Sequence, residues 1–329
     1  MKIIETKNLT KKFNSFTAVN NISFQVEEGE IFGFLGPNGA GKTTTINILC
    51  TLLRPTSGEA YVNGYNVVLE EQKVRQSIGI IFQDPSLDER LTAVENLKFH
   101  CLIYGLPKKL IKSRIDEVLN LTGLYEWRND IVHKFSGGMK RRLEIARGLL
   151  HYPKVLFLDE PTLGLDPQTR RHIWDYIHQL RVKEKITVFL TTHYLEEAEN
   201  CEHIAVIDYG KIIALDTPMG LRKFLPEDII FLKTNDDEKA RIEIEEKYKI
   251  ITKITPGEGE NQGLYLTVKN GEEFIPELIK NLSLPVKSIS LKKPTLDDVF
   301  LRLTGEEIRK GTVKNENWFR HLVSIQKRK

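Results

Sequence analysis

Ile31-Phe32-Gly33-Phe34-Leu35-Gly36-Pro37-Asn38-Gly39-Ala40-Gly41-Lys42-Thr43 is the stretch from which the rest of the chain is read. Ile31–Leu35 is a continuous apolar run, typical of a buried strand. Gly36–Thr43 matches G-x-x-x-x-G-K-[ST], and from Thr43 to Leu53 the sequence turns helix-like. The physics of phosphate binding asks for this order. Glycines let successive backbone N–H groups converge on phosphate oxygens, and a helix N-terminus adds a positive partial charge. Candidate contacts are Gly36, Pro37, Asn38, Gly39, Ala40, Gly41, Lys42, Thr43 and Thr44. Lys42 is expected at the β- and γ-phosphates, with the Thr43 hydroxyl on Mg²⁺. Alone, the loop implies only a nucleotide triphosphate, because GTPases, kinases and many ATPases share it.

A second motif narrows the choice. Val155-Leu156-Phe157-Leu158-Asp159-Glu160 is an apolar strand ending in two carboxylates. Side chains alternate along a strand, so Asp159 and Glu160 point in different directions and can do different jobs. Asp159 suits Mg²⁺ coordination through water, and Glu160 suits polarising an attacking water. A third motif, Phe135-Ser136-Gly137-Gly138-Met139, opens a helix whose Met139, Leu143, Ala146 and Leu150 recur at helical spacing. That makes a second anion-binding helix end in one domain. One nucleotide does not need both ends from a single chain, whereas two copies facing head-to-tail would use both.

Together these residues resemble the ATP-binding-cassette family, whose signature is usually written LSGGQ. Phe135 and Met139 replace its outer positions, and the Ser-Gly-Gly core is intact. The resemblance spans residues 2 to about 220 and implies ATP and Mg²⁺ as cofactors. By the same resemblance, Ser136, Gly137 and Gly138 would cap the ATP held by a second ATP-binding subunit. Phe13 would stack on adenine, with Phe16 as a competitor. Gln83 would touch Mg²⁺ or water and link to a helical subdomain. Asp166, ending Pro161-Thr162-Leu163-Gly164-Leu165-Asp166, would lie in the loop through which two subunits communicate. His193 would contact the γ-phosphate and orient Glu160.

Lys293-Pro294-Thr295-Leu296-Asp297-Asp298-Val299-Phe300-Leu301 looks like the daunorubicin-resistance type of exporter ATPase, whose relatives serve drug, polyketide, lipid or polysaccharide export. Read locally, the same stretch is a helix start, with Thr295 as cap and acids favouring the dipole. The resemblance implies a peripheral subunit at the cytoplasmic face of the membrane, driving a separate transmembrane permease and binding no nucleic acid. The insert between Gln83 and Ser136, with Asp88, Glu89 and Arg90, is the expected docking surface. The alternative is a soluble ABC ATPase acting on ribosomes or DNA. Such proteins usually carry two cassettes, long coiled coils or zinc insertions, and this chain has one cassette, no heptad run and no Cys cluster.

The implied fold class is α/β: a P-loop ATPase domain with a RecA-like core, an antiparallel β subdomain and a helical subdomain, spanning 1–221. Residues 1–35 read as short strands and turns, and strands alternate with helices up to about Gly220. Beyond it the order β-α-β-β-α-β predicts a small α+β ferredoxin-like domain over 222–305, regulatory or dimerising and without a catalytic group. Residues 306–329 form a basic tail, with seven Lys or Arg against three Glu. The whole chain of 329 residues carries only +3, so its bulk is near neutral, unlike a globally basic nucleic-acid binder. No apolar stretch is long enough to span a membrane, and Glu5 falls where a signal peptide would continue its apolar core. Cys50, Cys101 and Cys201 are widely spaced without metal-site histidines, which favours reduced thiols.

Overall fold

Ile31–Leu35 forms a strand in which all five residues are buried, as its unbroken apolar run requires. The computed structural model describes residues 1–83, 86–223, 228–250, 252–254, 263–293 and 295–304. It divides into two units, Met1–Pro218 and Met219–Lys329. Ile251, Gly305 and the basic tail 306–329 lie outside the described residues, as do Asp84 after Gln83 and Pro294 before the last helix.

The first unit opens with β1 (Lys2–Phe13) and β2 (Phe16–Glu27), followed by β3 (Ile31–Leu35) and α1 (Lys42–Leu49). Next come β4 (Ser57–Val62), β5 (Tyr65–Asn66), α2 (Glu71–Ser77) and β6 (Ile78–Ile81). A helical stretch follows with α3 (Ala93–Ile103), α4 (Lys108–Leu121) and α5 (Gly137–Leu149). The unit then runs through β7 (Val155–Asp159), α6 (Pro167–Glu184), β8 (Thr187–Thr192), α7 (Leu195–Ala198), β9 (His203–Asp208) and β10 (Lys211–Asp216). α8 (Pro218–Arg222) spans the division between the units.

Six strands make one sheet in the order β10-β9-β3-β8-β7-β6, parallel except for the edge pair β10–β9. A separate antiparallel sheet runs β2-β1-β4-β5. Phe24 of β2 packs on Phe32, Phe34 and Phe189 of the parallel sheet, with ring centroids 5.5, 5.5 and 5.9 Å away. Burying aromatic rings of this size contributes ~2–3 kcal/mol each. This cluster packs the two sheets against each other.

The first hairpin and one long helix differ from the sequence expectation. Ahead of β3, residues 2–27 do not make short strands: β1 and β2 are each 12 residues long and pair as one hairpin. Four register shifts along β1–β2 break the alternation that would have marked a long strand. Helix α6, 18 residues long, has no counterpart in the sequence reading. Its Asp166 cap and Pro167 are a helix-start signal. Only Ile173, Trp174, Ile177 and Leu180 of its residues are buried.

The second unit contains β11 (Asp228–Thr234), α9 (Asp237–Tyr248), β12 (Thr252–Ile254), β13 (Leu264–Val268), α10 (Gly271–Asn281), β14 (Val286–Lys292) and α11 (Leu296–Thr304). Its antiparallel sheet is ordered β12-β13-β11-β14, the ferredoxin-like arrangement. Ile230, Leu232, Leu264 and Leu266 pack with Ala240 and Ile244 of α9 and Leu278 of α10. Thr295 caps α11 reciprocally with Asp298: its hydroxyl accepts from the Asp298 N–H at 3.3 Å while Asp298 Oδ2 accepts from the Thr295 N–H at 2.9 Å.

Candidate active site

Parallel register delivers the chemical groups to one end of the large sheet. Ile31–Leu35 pairs residue for residue with Val188–Thr192, and Val155–Asp159 with Thr187–Thr191. The loop after β3, the carboxylates ending β7 and the turn after β8 therefore emerge at the carboxyl ends of adjacent strands. Ile81 pairs with Leu158, so Gln83 and Glu160 each come two residues past a paired position.

The loop from Gly36 to Lys42 depends on Gly41. Its φ is +104°, and a Cβ there would lie 2.3 Å from the Ala18 carbonyl oxygen. Glycine alone fits that backbone conformation and that approach. Lys42 Nζ donates to the Gly36 carbonyl at 2.9 Å and the Pro37 carbonyl at 3.1 Å, and sits 3.3 Å from Glu160 Oε1. Burial pushes the Lys42 ammonium below its ordinary value, while Glu160 beside it pulls the other way. Thr43 is exposed at the helix start and Thr44 is half-buried.

Asp159 is buried, and one of its oxygens accepts from the Thr191 hydroxyl. Glu160, with φ +48°, is a non-glycine residue in the left-handed region, which costs ~1–2 kcal/mol. Its N–H donates to the Thr191 carbonyl at 3.1 Å, which helps hold the turn. His193 Nδ1 lies 3.2 Å from Glu160 Oε1, within ion-pair distance but without hydrogen-bonding alignment. Burial alone would raise the Glu160 carboxyl, but His193 and Lys42 outweigh it and hold the group below its ordinary value.

Lys42, Asp159, Glu160 and His193 thus converge, and Gln83 stands exposed just beyond β6. Ser136, Gly137, Gly138 and Asp166 form a second cluster at two helix N-termini. Ser136 caps α5 by accepting from the Met139 N–H at 3.3 Å, and Asp166 caps α6 by accepting from Gln168 and Thr169 at 3.1 and 3.0 Å. A Cβ on Gly138 would lie 2.3 Å from Thr169 Cγ2, so glycine lets α5 approach α6. Phe13 ends β1 at 44% exposure, beneath the Lys11 ammonium 5.1 Å from the ring centre, and Phe16 across the hairpin is 60% exposed.

Three features of the site have no counterpart in the sequence reading. Thr191 holds both Asp159 and the backbone of Glu160. Arg141 reaches from α5 to the backbone at the ends of β6 and β7. The Thr162 hydroxyl donates to the buried Glu197, two residues past Glu160. Arg141 falls three residues after Gly138 and four before Ile145, all buried on α5. A charge on an apolar helix face was the available signal.

A model of the ABC transporter family matches residues 19–163. The chain is similar to the linearmycin resistance ATP-binding protein of Bacillus subtilis (strain 168), with 38% identity over 312 residues, covering 93% of this chain and 100% of that protein. It is also similar to the daunorubicin/doxorubicin resistance ATP-binding protein of Streptomyces peucetius, with 39% identity over 309 residues and coverage of 92% and 93%. A solved structure it resembles is a dimeric ATP-binding cassette in a post-hydrolysis state with ADP and Pi, at 29% identity and a TM-score of 0.59, covering 65% of this chain and 98% of that one.

Proposed function

Because the chain belongs to the ABC transporter family, we propose that Lys42, Asp159, Glu160 and His193 are the working groups of an ATPase that drives export through a separate permease. The chain is the nucleotide-binding subunit of such a transporter and binds ATP. The observation carrying the site assignment is the placement of Glu160. Its carboxylate lies between Lys42 Nζ and His193 Nδ1, at 3.3 and 3.2 Å, at the end of the phosphate-binding loop. An ionised carboxylate there can accept a proton from a water attacking the γ-phosphate. His193 stands at ion-pair distance beside it, at the left-handed turn of Glu160.

The donor set fits Mg²⁺. The Thr43 hydroxyl, the Asp159 carboxylate and the Gln83 amide are hard oxygen ligands, and among the described residues no three His, Cys, Asp or Glu side chains are placed so as to hold a metal ion by themselves. That suits an ion shared with phosphate oxygens rather than one caged by protein. Such an ion would neutralise charge on the phosphates. Phe13, exposed at the hairpin end, suits adenine stacking.

Ser136, exposed at the N-terminus of α5, is offered to a second subunit's nucleotide in a head-to-tail dimer. Among the described residues no helix is long and apolar enough to cross a membrane, so a permease must supply the path. In the insert, Asp88 pairs with Arg90, and Glu89 with Lys140 and His133. Phe99, Leu102 and Ile103 of α3 are 58, 55 and 61% exposed and complete an apolar docking surface at the cytoplasmic face of the membrane. Among export of a drug, polyketide, lipid or polysaccharide, the relatives named for resistance to linearmycin and to daunorubicin and doxorubicin support export of a drug.

The test is Glu160→Gln. Hydrolysis should fall on the order of 10²–10⁴-fold with ATP binding retained through Lys42. Parent-rate hydrolysis by the variant would remove Glu160 as the base. Recovery of the parent protein wholly outside the membrane fraction of its host would remove the permease.

A further inference from the structure

Arg141 is 7% exposed on α5, and all its bonds but the one to Glu144 run to another part of the site. Its Nε donates to the Pro161 carbonyl at 2.7 Å. One terminal nitrogen donates to the Phe82 carbonyl at 2.7 Å and to Glu144 Oε2 at 3.0 Å. The other donates to the Asp159 carbonyl at 3.2 Å and the Glu160 carbonyl at 3.4 Å. A guanidinium presents five N–H donors in a rigid planar fork, so one side chain can clasp several carbonyls in a fixed relation.

Those carbonyls lie where position matters. Phe82 precedes Gln83, and Asp159, Glu160 and Pro161 form the turn that aims the general base. Glu160 sits in the left-handed region, a conformation that persists only when its surroundings impose it. Thr191 holds its N–H and Arg141 its carbonyl, so the strained residue is gripped on both sides. The grip comes from the helix whose first turn carries Ser136 and Gly137.

We propose that Arg141 is a positioning residue for hydrolysis, holding Glu160 in working register from α5, the helix that Ser136 caps. It acts through the backbone of Glu160. Lysine keeps the charge but is a point donor that cannot span four carbonyls. An ångström of misplacement at a reacting centre costs about 10²-fold in rate.

The inference rests on Glu160 as the base, which the Glu160→Gln single variant tests separately. Arg141→Lys should lower kcat about 10²-fold with the ATP KM changed less than about threefold. In a Glu160→Gln background, single-turnover hydrolysis should fall less than about threefold on adding Arg141→Lys, because the group that Arg141 positions is already gone. A merely structural role would lower both backgrounds alike. Should Arg141→Lys not fold, Glu144→Gln carries the same cycle: it removes the carboxylate that orients the guanidinium and keeps an amide oxygen for the Ser86 N–H. Turnover within about threefold of the parent, or an equal loss in both backgrounds, overturns the proposal. If Glu160→Gln itself hydrolyses normally, the base assignment fails, whatever Arg141 does.

Discussion

Glu197→Gln should stabilise the ATPase unit at neutral pH and leave it unchanged in acid. Glu197 is 1% exposed in α7 after β8, where one oxygen accepts from the Thr162 hydroxyl and the other has no hydrogen-bond partner among the described residues. Burial pushes its carboxyl up from 4.5 to about 7, against the lowering influence of the Thr192 hydroxyl, Arg170 and His193, while Glu160 adds to the rise. An acid with a raised folded-state pKa contributes stability that is present below its unfolded value. That stability is lost as pH rises through about 7. At ~1.4 kcal/mol per pKa unit, the loss is about 3 kcal/mol. Glutamine keeps an oxygen for Thr162 and cannot ionise. Urea unfolding of parent and variant, followed by the fluorescence of Trp127 and Trp174, should give curves that meet near pH 4.5 and separate by about 3 kcal/mol at pH 8. In thermal melts the separation should reach about 6–12 °C for a unit of this size. Two curves running parallel across that range would show that Glu197 is not a buried acid with a raised pKa.

Gly41→Ala should reduce ATP affinity at least about tenfold in a nucleotide titration, because its φ is +104° and the new Cβ would lie 2.3 Å from the Ala18 carbonyl. Gly39→Ala meets nothing within 4 Å and should cost only the ~1 kcal/mol conformational penalty, read in the same titration and by unfolding. Ser136→Arg should keep ATP binding through Lys42 yet lose hydrolysis and dimerisation together. Removing the helix cap adds ~1 kcal/mol of instability, too little to unfold the unit. Normal turnover by a monomeric Ser136→Arg protein would defeat the head-to-tail arrangement.

The strand, glycine loop and helix around Lys42 were legible in the sequence because each rests on local chemistry: an apolar run, φ-permissive glycines and a helix period. The same holds for the turn at Asn63-Gly64, where both residues have positive φ, at 51° and 77°. The long β1–β2 hairpin was not legible, because its register shifts erase alternation. Helix α6 is faint in the sequence although Asp166 and Pro167 mark its start, because only four of its 18 residues, Ile173, Trp174, Ile177 and Leu180, are buried. Arg141 and Glu197 were illegible for a deeper reason. Charged residues on buried faces contradict binary pattern, and only tertiary contacts show what they hold.

The ATP-driven joining of two subunits across Lys42 and Ser136 is tested most directly by the mass in solution of Glu160→Gln, measured by light scattering with ATP·Mg²⁺ and with ADP·Mg²⁺. Two head-to-tail sites with intact phosphate contacts and no base predict twice the chain mass in ATP and the single chain mass in ADP. A variant that binds ATP to saturation and keeps the same mass in both nucleotides would contradict the account.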